Sequence, residues 1–353
     1  MSSIGTAAYP GGTNTYVKNH EATGSLVTSF SRNPSDFPLA RYTQIRPVTQ
    51  DAGYYLRITA ENAARIVGMK LNEFVWPDGA DRPRRNAGTE KFAFVDYRTQ
   101  RYDFDFTLGY KAENQASWNI RDTEAAFHAQ QAMTGRTVAV QQMLQNTANW
   151  DASHVIAAAA VPGNTGSWEV STTTRTDIKR TINYGREIIH QHTLGTVKKK
   201  DLLLVMNPVT ARKIGESQEL VDYMKGSPEA RNEIRGDRAE KYSDFGVPDT
   251  LYGVEICVED AVVVTSPRGA SVPVFEYAMQ DGIVLMMARP GGLVSKAGSG
   301  PSFSTAMVLA YEEMTVEDRN DVDNRRIEGH VVDDYAPALT APVSGFYFTD
   351  VLE

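Results

Sequence analysis

From Met1 to about Asp51, apolar residues are scattered among Gly, Ser, Thr, Asn and Pro and follow neither the helical nor the strand period. Leu26, Val27, Phe30, Phe37, Leu39, Tyr42 and Ile45 nevertheless give it more apolar and aromatic content than a solvating tail carries. The stretch reads as an arm, irregular alone and ordered by lying across a neighbour. Beyond it the pattern becomes regular. Residues 64–76 carry Ile66, Val67, Met69, Leu71, Phe74 and Val75. Residues 91–108 alternate, with Tyr102, Phe104, Phe106 and Leu108 on one side and Asp103 and Asp105 on the other, the period of a half-buried strand. Turn chemistry between the two runs, at Pro77-Asp78-Gly79 and around Pro83 to Gly88, predicts a long hairpin. At about 3.3 Å per residue such a hairpin projects far, and two strands alone are marginal in water, so something else must cover it.

A helix is predicted next, capped by Asn119 with Asp122 three positions on and running to about Thr147. Its apolar stripe, Ala125, Ala129, Met133, Val140, Met143 and Leu144, is thin, which suits a helix that leaves much of its length to partners. From about Thr176 the texture is ordinary α/β packing. Ile178, Ile182 and Ile189 mark a helix closed by Gly195, and residues 202–205 a short buried strand. Asn207-Pro208 starts a helix, residues 218–225 form another, and residues 227–247 are charged and loop-like. Strands are expected at 254–258, 261–265, 274–278 and 283–288, then at 303–311, 325–334 and 345–351, with Pro337 and Pro342 in the last connection.

The 353 residues suffice for two compact domains or one with large extensions, and a hydrophobic fraction of 41% allows a buried core. No apolar run approaches the roughly 20 residues of a membrane-spanning helix, and the first twelve residues lack a secretory pattern. The single cysteine, Cys257, excludes an internal disulfide and reads as a buried thiol of a protein made in a reducing cytoplasm. A net charge of −8 argues against tight binding to a nucleic-acid backbone, leaving at most weak contact.

No motif points to catalysis. His190 and His192 end a helix, where i and i+2 diverge, and read as cationic helix-end residues rather than metal ligands. Asp318, Asp321 and Asp323 lack the calcium-loop order and are interleaved with Arg319, Arg325 and Arg326, so they read as a charged loop. Arg235-Gly236-Asp237 is a three-letter match in a charged stretch, and Gly298-Ser299-Gly300 lacks the ending of a phosphate loop. His20, His128, His154 and His330 have no evident nucleophile beside them. No catalytic, cofactor-binding or metal residue is therefore assigned. The hairpin-tip arginines Arg82, Arg84 and Arg85, together with Lys91, Phe30 and Phe37, are the candidates for contact between subunits.

The order of elements resembles the major capsid protein of tailed bacteriophages, the Hong Kong 97-type (HK97-like) fold. Two segments carry the resemblance most: Leu202-Leu203-Leu204-Val205-Met206-Asn207-Pro208, and the closing run from Arg326 to Tyr335 with Ala341-Pro342 and residues 345–350. It implies an α+β fold with an N-terminal arm (1–50) and an extended hairpin, the E-loop (51–114). A peripheral domain with a long spine helix (115–175 and 301–336) and an axial domain (176–300 and 337–353) complete it. It further implies a coat protein that self-assembles as pentamers and hexamers into an icosahedral shell around double-stranded DNA, located in the virion. The partners implied are further copies of the chain, a separate scaffolding protein or none, and portal and decoration proteins, with no membrane. Some members form a lysine–asparagine cross-link between subunits, for which Lys91 is suggestively placed. Two rivals remain: an encapsulin-type compartment that encloses cargo enzymes, and a soluble α/β metabolic enzyme with a polar pocket of perturbed titratable groups.

Overall fold

The computed structural model describes residues 36–59, 75–79, 93–116, 119–168, 177–225, 245–267, 271–290 and 304–352. In chain order these form a helical turn, α1 (Leu39–Tyr42), then β1 (Thr43–Pro47), β2 (Ala52–Arg57), β3 (Ala93–Arg98) and β4 (Gln100–Gly109). Helices α2 (Tyr110–Gln115) and α3 (Ile120–Gln145), β5 (Val155–Ala157) and α4 (Asp177–His192) follow. Next come β6 (Leu202–Met206), α5 (Pro208–Gly215), α6 (Gln218–Lys225), β7 (Thr250–Leu251), β8 (Val254–Val258), β9 (Val262–Val264), β10 (Phe275–Tyr277) and β11 (Val284–Ala288). The chain closes with β12 (Ala306–Asp321), β13 (Arg326–Leu339) and β14 (Phe346–Thr349). The chain divides into two compact units, one of residues 1–37, 99–136 and 310–335, the other of 38–98, 137–309 and 336–353.

In the first unit β4 and β13 pair antiparallel from Gly109 opposite Arg326 to Gln100 opposite Tyr335. The alternation expected of β4 is realised: Phe106 and Leu108 are buried, Tyr102 and Phe104 half-buried, and Asp103 and Asp105 exposed. Leu108 packs with Ala112, Ile120 and Ile327. The Asn119 side chain caps α3 as expected, its Oδ1 accepting from the Asp122 N–H at 3.3 Å. The face that α3 buries differs from the thin apolar stripe. It includes Thr123 and Arg136, and further along the helix Thr137 and Gln141.

The second unit holds a six-stranded mixed sheet, order β5-β14-β11-β6-β8-β7. β6 and β11 are buried at every position, as their unbroken apolar runs require of central strands covered on both faces. Leu202, Leu204 and Met206 share one core with Ile178, Ile182 and Ile189 of α4 and Ala211 and Ile214 of α5. Asn207 caps α5 by accepting from the Thr210 N–H at 2.8 Å, with Pro208 in the first turn. Gly195 ends the α4 segment at φ +76°, its N–H donating to the His190 carbonyl at 2.8 Å.

The structure departs from the expected elements at several places. At the end of the expected arm, Leu39 and Tyr42 are buried in their own chain, and β1 joins the sheet ordered β1-β12-β13-β4. The run 91–108 is two strands broken at Thr99, β3 pairing with β2 and β4 with β13. The expected strand 64–76 falls mostly outside the described residues, and the observed partner of β3 is β2. Finally, the charged loop around Asp318 and Asp321 is the outer half of β12. Pro337 lies within β13 rather than in a connection. It follows the end of the β4 ladder at Tyr335, so a missing N–H on that side leaves no partner unsatisfied.

Candidate assembly surface

Among the six contact candidates, Phe30, Arg82, Arg84, Arg85 and Lys91 lie outside the described residues. Phe37 is described and is 5% exposed, its ring covered by its own chain. The surface that the described residues do offer begins at the β2–β3 ladder. Register places Tyr54 opposite Asp96 and Leu56 opposite Phe94, so these four project from one face. Tyr54 is 76% exposed, Phe94 65% and Leu56 40%. The other face turns inward, Tyr55 and Tyr97 packing against Leu309, Ala336 and Ala338. Gly53 permits this packing, because an added Cβ would sit 3.0 Å from the Tyr97 ring. The ladder is thus covered on one side, and on the other exposes three large apolar side chains beside Asp96. Sequence periodicity did not single out Tyr54 and Leu56.

In the first unit the outer half of β12 and the turn after it carry ion pairs. Asp321 accepts from the Asn324 side chain at 2.7 Å and from Arg326 Nε at 3.0 Å. These bonds, the Asn324 side chain first, hold the Asp321 carboxyl below its ordinary value. Arg121 bridges Glu113 at 3.2 Å and Asp318 at 3.3 Å. Of the carboxylates that suggested calcium, Asp321 is therefore engaged by Asn324 and Arg326, and Asp318 by Arg121. Among the described residues no group of three or more His, Cys, Asp or Glu is placed to hold a metal.

Two buried polar networks escaped the sequence. Arg136 and Asp333, in the first unit, form a bidentate pair with Nε–Oδ2 3.0 Å, the Arg136 guanidinium lying 5.4 Å from the centre of the Tyr335 ring. In the second unit the fully buried Tyr42 hydroxyl donates to Glu259 at 2.6 Å and accepts from Gln141 at 2.9 Å. Burial, then the Glu259 charge, pushes the Tyr42 phenol well above its ordinary value. This network fixes α1 to the chain that follows β8, and Arg41 adds a bond to Glu255 at 2.6 Å.

His192 does not stand alone at the helix end. Its Nδ1 lies 2.7 Å from Nε2 of the buried His154, whose Nδ1 lies 2.6 Å from the Gly345 carbonyl. A carbonyl only accepts, so His154 carries its proton on Nδ1 and takes the His192 N–H at Nε2. Burial, with the neighbouring His192, lowers the His154 pKa against the opposing Gly345 carbonyl and Asp151. A lowered folded-state value means that the unfolded chain binds the proton first, so stability falls as pH drops below about 6.5 toward the folded value. Denaturation midpoints are expected to fall between pH 7 and pH 5 in the natural protein. They should fall less in His154→Asn, and equal slopes would show that this imidazole does not titrate on unfolding.

A cleft of about 450 Å³ in the second unit is lined by Lys213, Asp281, Tyr347, Thr349 and Asp350 among others. Asp281 accepts from the Asn207 side chain and Asp350 from the Thr349 hydroxyl. Burial, aided by Asp350, pushes the Tyr347 phenol to about 12, so at neutral pH it stays a hydroxyl and is no base. The lone thiol is equally quiet, Cys257 being buried and pushed to about 12. Neither the Tyr347 phenol nor the Cys257 thiol is an activated nucleophile.

No family model and no curated protein matches the sequence. Solved structures do. A phage-related protein from Bordetella bronchiseptica aligns at 16% identity over 94% of this chain and 97% of that one, with a TM-score of 0.56. The capsid of cyanophage P-SCSP1u aligns at 9% identity over 98% and 93%, TM-score 0.53. The mature capsid of bacteriophage PhiM1 aligns at 13% identity over 89% and 86%, TM-score 0.50. The chain has a phage capsid fold. At these identities the likeness is one of fold, and the capsid fold here spans nearly the whole chain rather than one shared sheet.

Proposed function

We infer that the protein is the coat subunit of an icosahedral shell, built from pentamers and hexamers of copies of this chain around double-stranded DNA. The observation that carries this reading is whole-chain coverage: the capsid structures account for 89% and 98% of the sequence, both compact units included. In this reading β2 and β3 form the base of the E-loop (51–114), and α3 is the spine helix of the peripheral domain. The six-stranded sheet with α4 and α5 is the core of the axial domain. Shell formation is a structural role.

The mechanism is repeated burial of modest apolar patches. The open face of Tyr54, Leu56 and Phe94 is too small to hold a pair of subunits alone. In a closed shell every subunit makes several such contacts at once, and each raises the effective concentration of the next. A net charge of −8 suits a wall that holds packaged DNA loosely, since a basic surface would grip the phosphates. Scaffolding, portal and decoration proteins are the further partners this role calls for. The virion is its location, after synthesis in the host cytoplasm.

The purified chain is expected to form closed shells or rings of five or six subunits by negative-stain microscopy. Replacing Tyr54 and Leu56 together by aspartate should reduce shell yield at least tenfold while leaving a folded, soluble subunit. A monodisperse dimer under every salt condition would overturn the reading. Nuclease-protected double-stranded DNA inside shells recovered from cells would separate a viral coat from a compartment filled with protein cargo.

A further inference from the structure

β9 and β10 form a two-stranded antiparallel ribbon in the second unit, with no third strand joined to it among the described residues. Its register sets Val262 opposite Tyr277 and Val264 opposite Phe275. Residues directly opposite one another, and residues two apart on one strand, project to the same side. These four side chains therefore make one face, and it is wholly apolar apart from the Tyr277 hydroxyl. They are open to solvent, at 48% for Val262, 52% for Val264, 63% for Phe275 and 37% for Tyr277. The opposite side carries Val263 and the exposed Glu276.

A free two-stranded ribbon is marginal in water, but this one is anchored at its base. The Ala278 N–H donates to the Ala261 carbonyl at 2.8 Å, and the Ala261 N–H donates to the buried Glu259 at 3.2 Å. The Gln145 side chain donates to the Ala278 carbonyl at 3.1 Å and accepts from the Gln280 N–H at 3.1 Å. The Thr265 N–H extends the ladder to the Val274 carbonyl at 3.0 Å. The apolar face is thus presented on a fixed support, with β-branched and aromatic side chains that lose little freedom on contact.

We propose that the face formed by Val262, Val264, Phe275 and Tyr277 is a docking surface for a second copy of this chain. Size decides the occupant. Four such side chains expose on the order of 400 Å² together, about half of the ~800 Å² per partner that a lasting two-body interface takes. A separate protein held by this face alone would dissociate readily. A second copy, held at the same time by other contacts within a ring or shell, needs no more. Nucleic acid is disfavoured by chemistry, because the face carries no cation to meet a phosphate. The proposal rests on the self-assembly reading and adds a contact outside the E-loop to it.

The test uses the full chain, followed by sedimentation velocity and electron microscopy. Phe275→Asp is expected to lower the assembled fraction at least tenfold, while the unassembled subunit keeps its melting temperature, since the ring it replaces is exposed. Phe275→Tyr should assemble normally. A second measurement does not depend on breaking the contact. Val264→Cys should react with a maleimide readily as free subunit and at least tenfold more slowly within particles, with the buried Cys257 giving little background. Normal assembly of Phe275→Asp, or equal labelling in particles and free subunits, would overturn the ribbon proposal and leave the shell reading standing. A natural chain that never assembles would overturn both.

Discussion

Asp333→Ala is expected to destabilise the protein by about 3–5 kcal/mol, read as a drop in the urea midpoint at neutral pH with little change in slope. Asp333 is 0% exposed and Arg136 3%, and the two side chains meet along one guanidinium edge, Nε and Nη2 each donating to one carboxylate oxygen. Removing the carboxylate leaves a buried guanidinium without its bidentate partner, the Tyr335 ring 5.4 Å away being a weaker substitute. The penalty is that of an orphaned buried cation, and it exceeds the worth of the pair itself.

Burial works against the ionised pair, as the direction of the Asp333 pKa indicates. Burial raises it, and the hydrogen bond and charge of Arg136 pull it back only in part. A carboxyl whose folded-state pKa is raised contributes most below its unfolded value of about 3.9, and that contribution is lost as pH rises through the folded value. At neutral pH the ionised group is therefore tolerated more than it is favoured. Arg136→Met combined with Asp333→Leu is accordingly expected to lie within about 1 kcal/mol of the natural protein, or above it. If Asp333→Ala cost less than about 1 kcal/mol, water or another group would be compensating Arg136, and the pair would not pin α3 to β13.

The parts legible in the sequence were those specified by local signals. β6, α5, β8 and β11 have bounds within a residue or two of their apolar runs, because caps such as Asn207-Pro208 and unbroken buried strands are written in consecutive residues. The parts that were not legible depend on residues far apart. α3 looked sparsely apolar because Arg136, Thr137 and Gln141 are buried by partners elsewhere in the chain, Asp333 and Tyr42 among them. The acidic half of β12 read as a loop because a strand exposed on both faces has no apolar alternation to show. Of the proposed assembly surface, Tyr54 and Leu56 were hidden by their place beside an irregular arm. The strands β9 and β10 were found, but the exposure of their common face follows from a register that no run of residues encodes.

Phe348→Ala is expected to cost about 3–5 kcal/mol, and the cost of Gly185→Ala should reverse in its presence. Phe348 is 0% exposed in β14, its ring 4.8 Å from that of Phe346 and 6.4 Å from that of Trp168. α4 crosses β14 at Gly185, where an added Cβ would lie 2.5 Å from Phe348 Cζ and 3.4 Å from Phe346 Cγ. Alanine is the better helix former by about 1 kcal/mol, but here that gain is outweighed by an overpacking cost of roughly 1–3 kcal/mol. Once Phe348 is truncated, the new methyl enters the vacated space and only the helical gain remains. Gly185→Ala should then be neutral or stabilising, which a double-mutant cycle would record as a coupling of about 1–3 kcal/mol. An equal cost in both backgrounds would mean that the glycine is not what lets the helix and the strand approach. If the coupling is found, the close seating of α4 on the sheet is set by one missing Cβ, and the rest of the unit's packing is built around that contact.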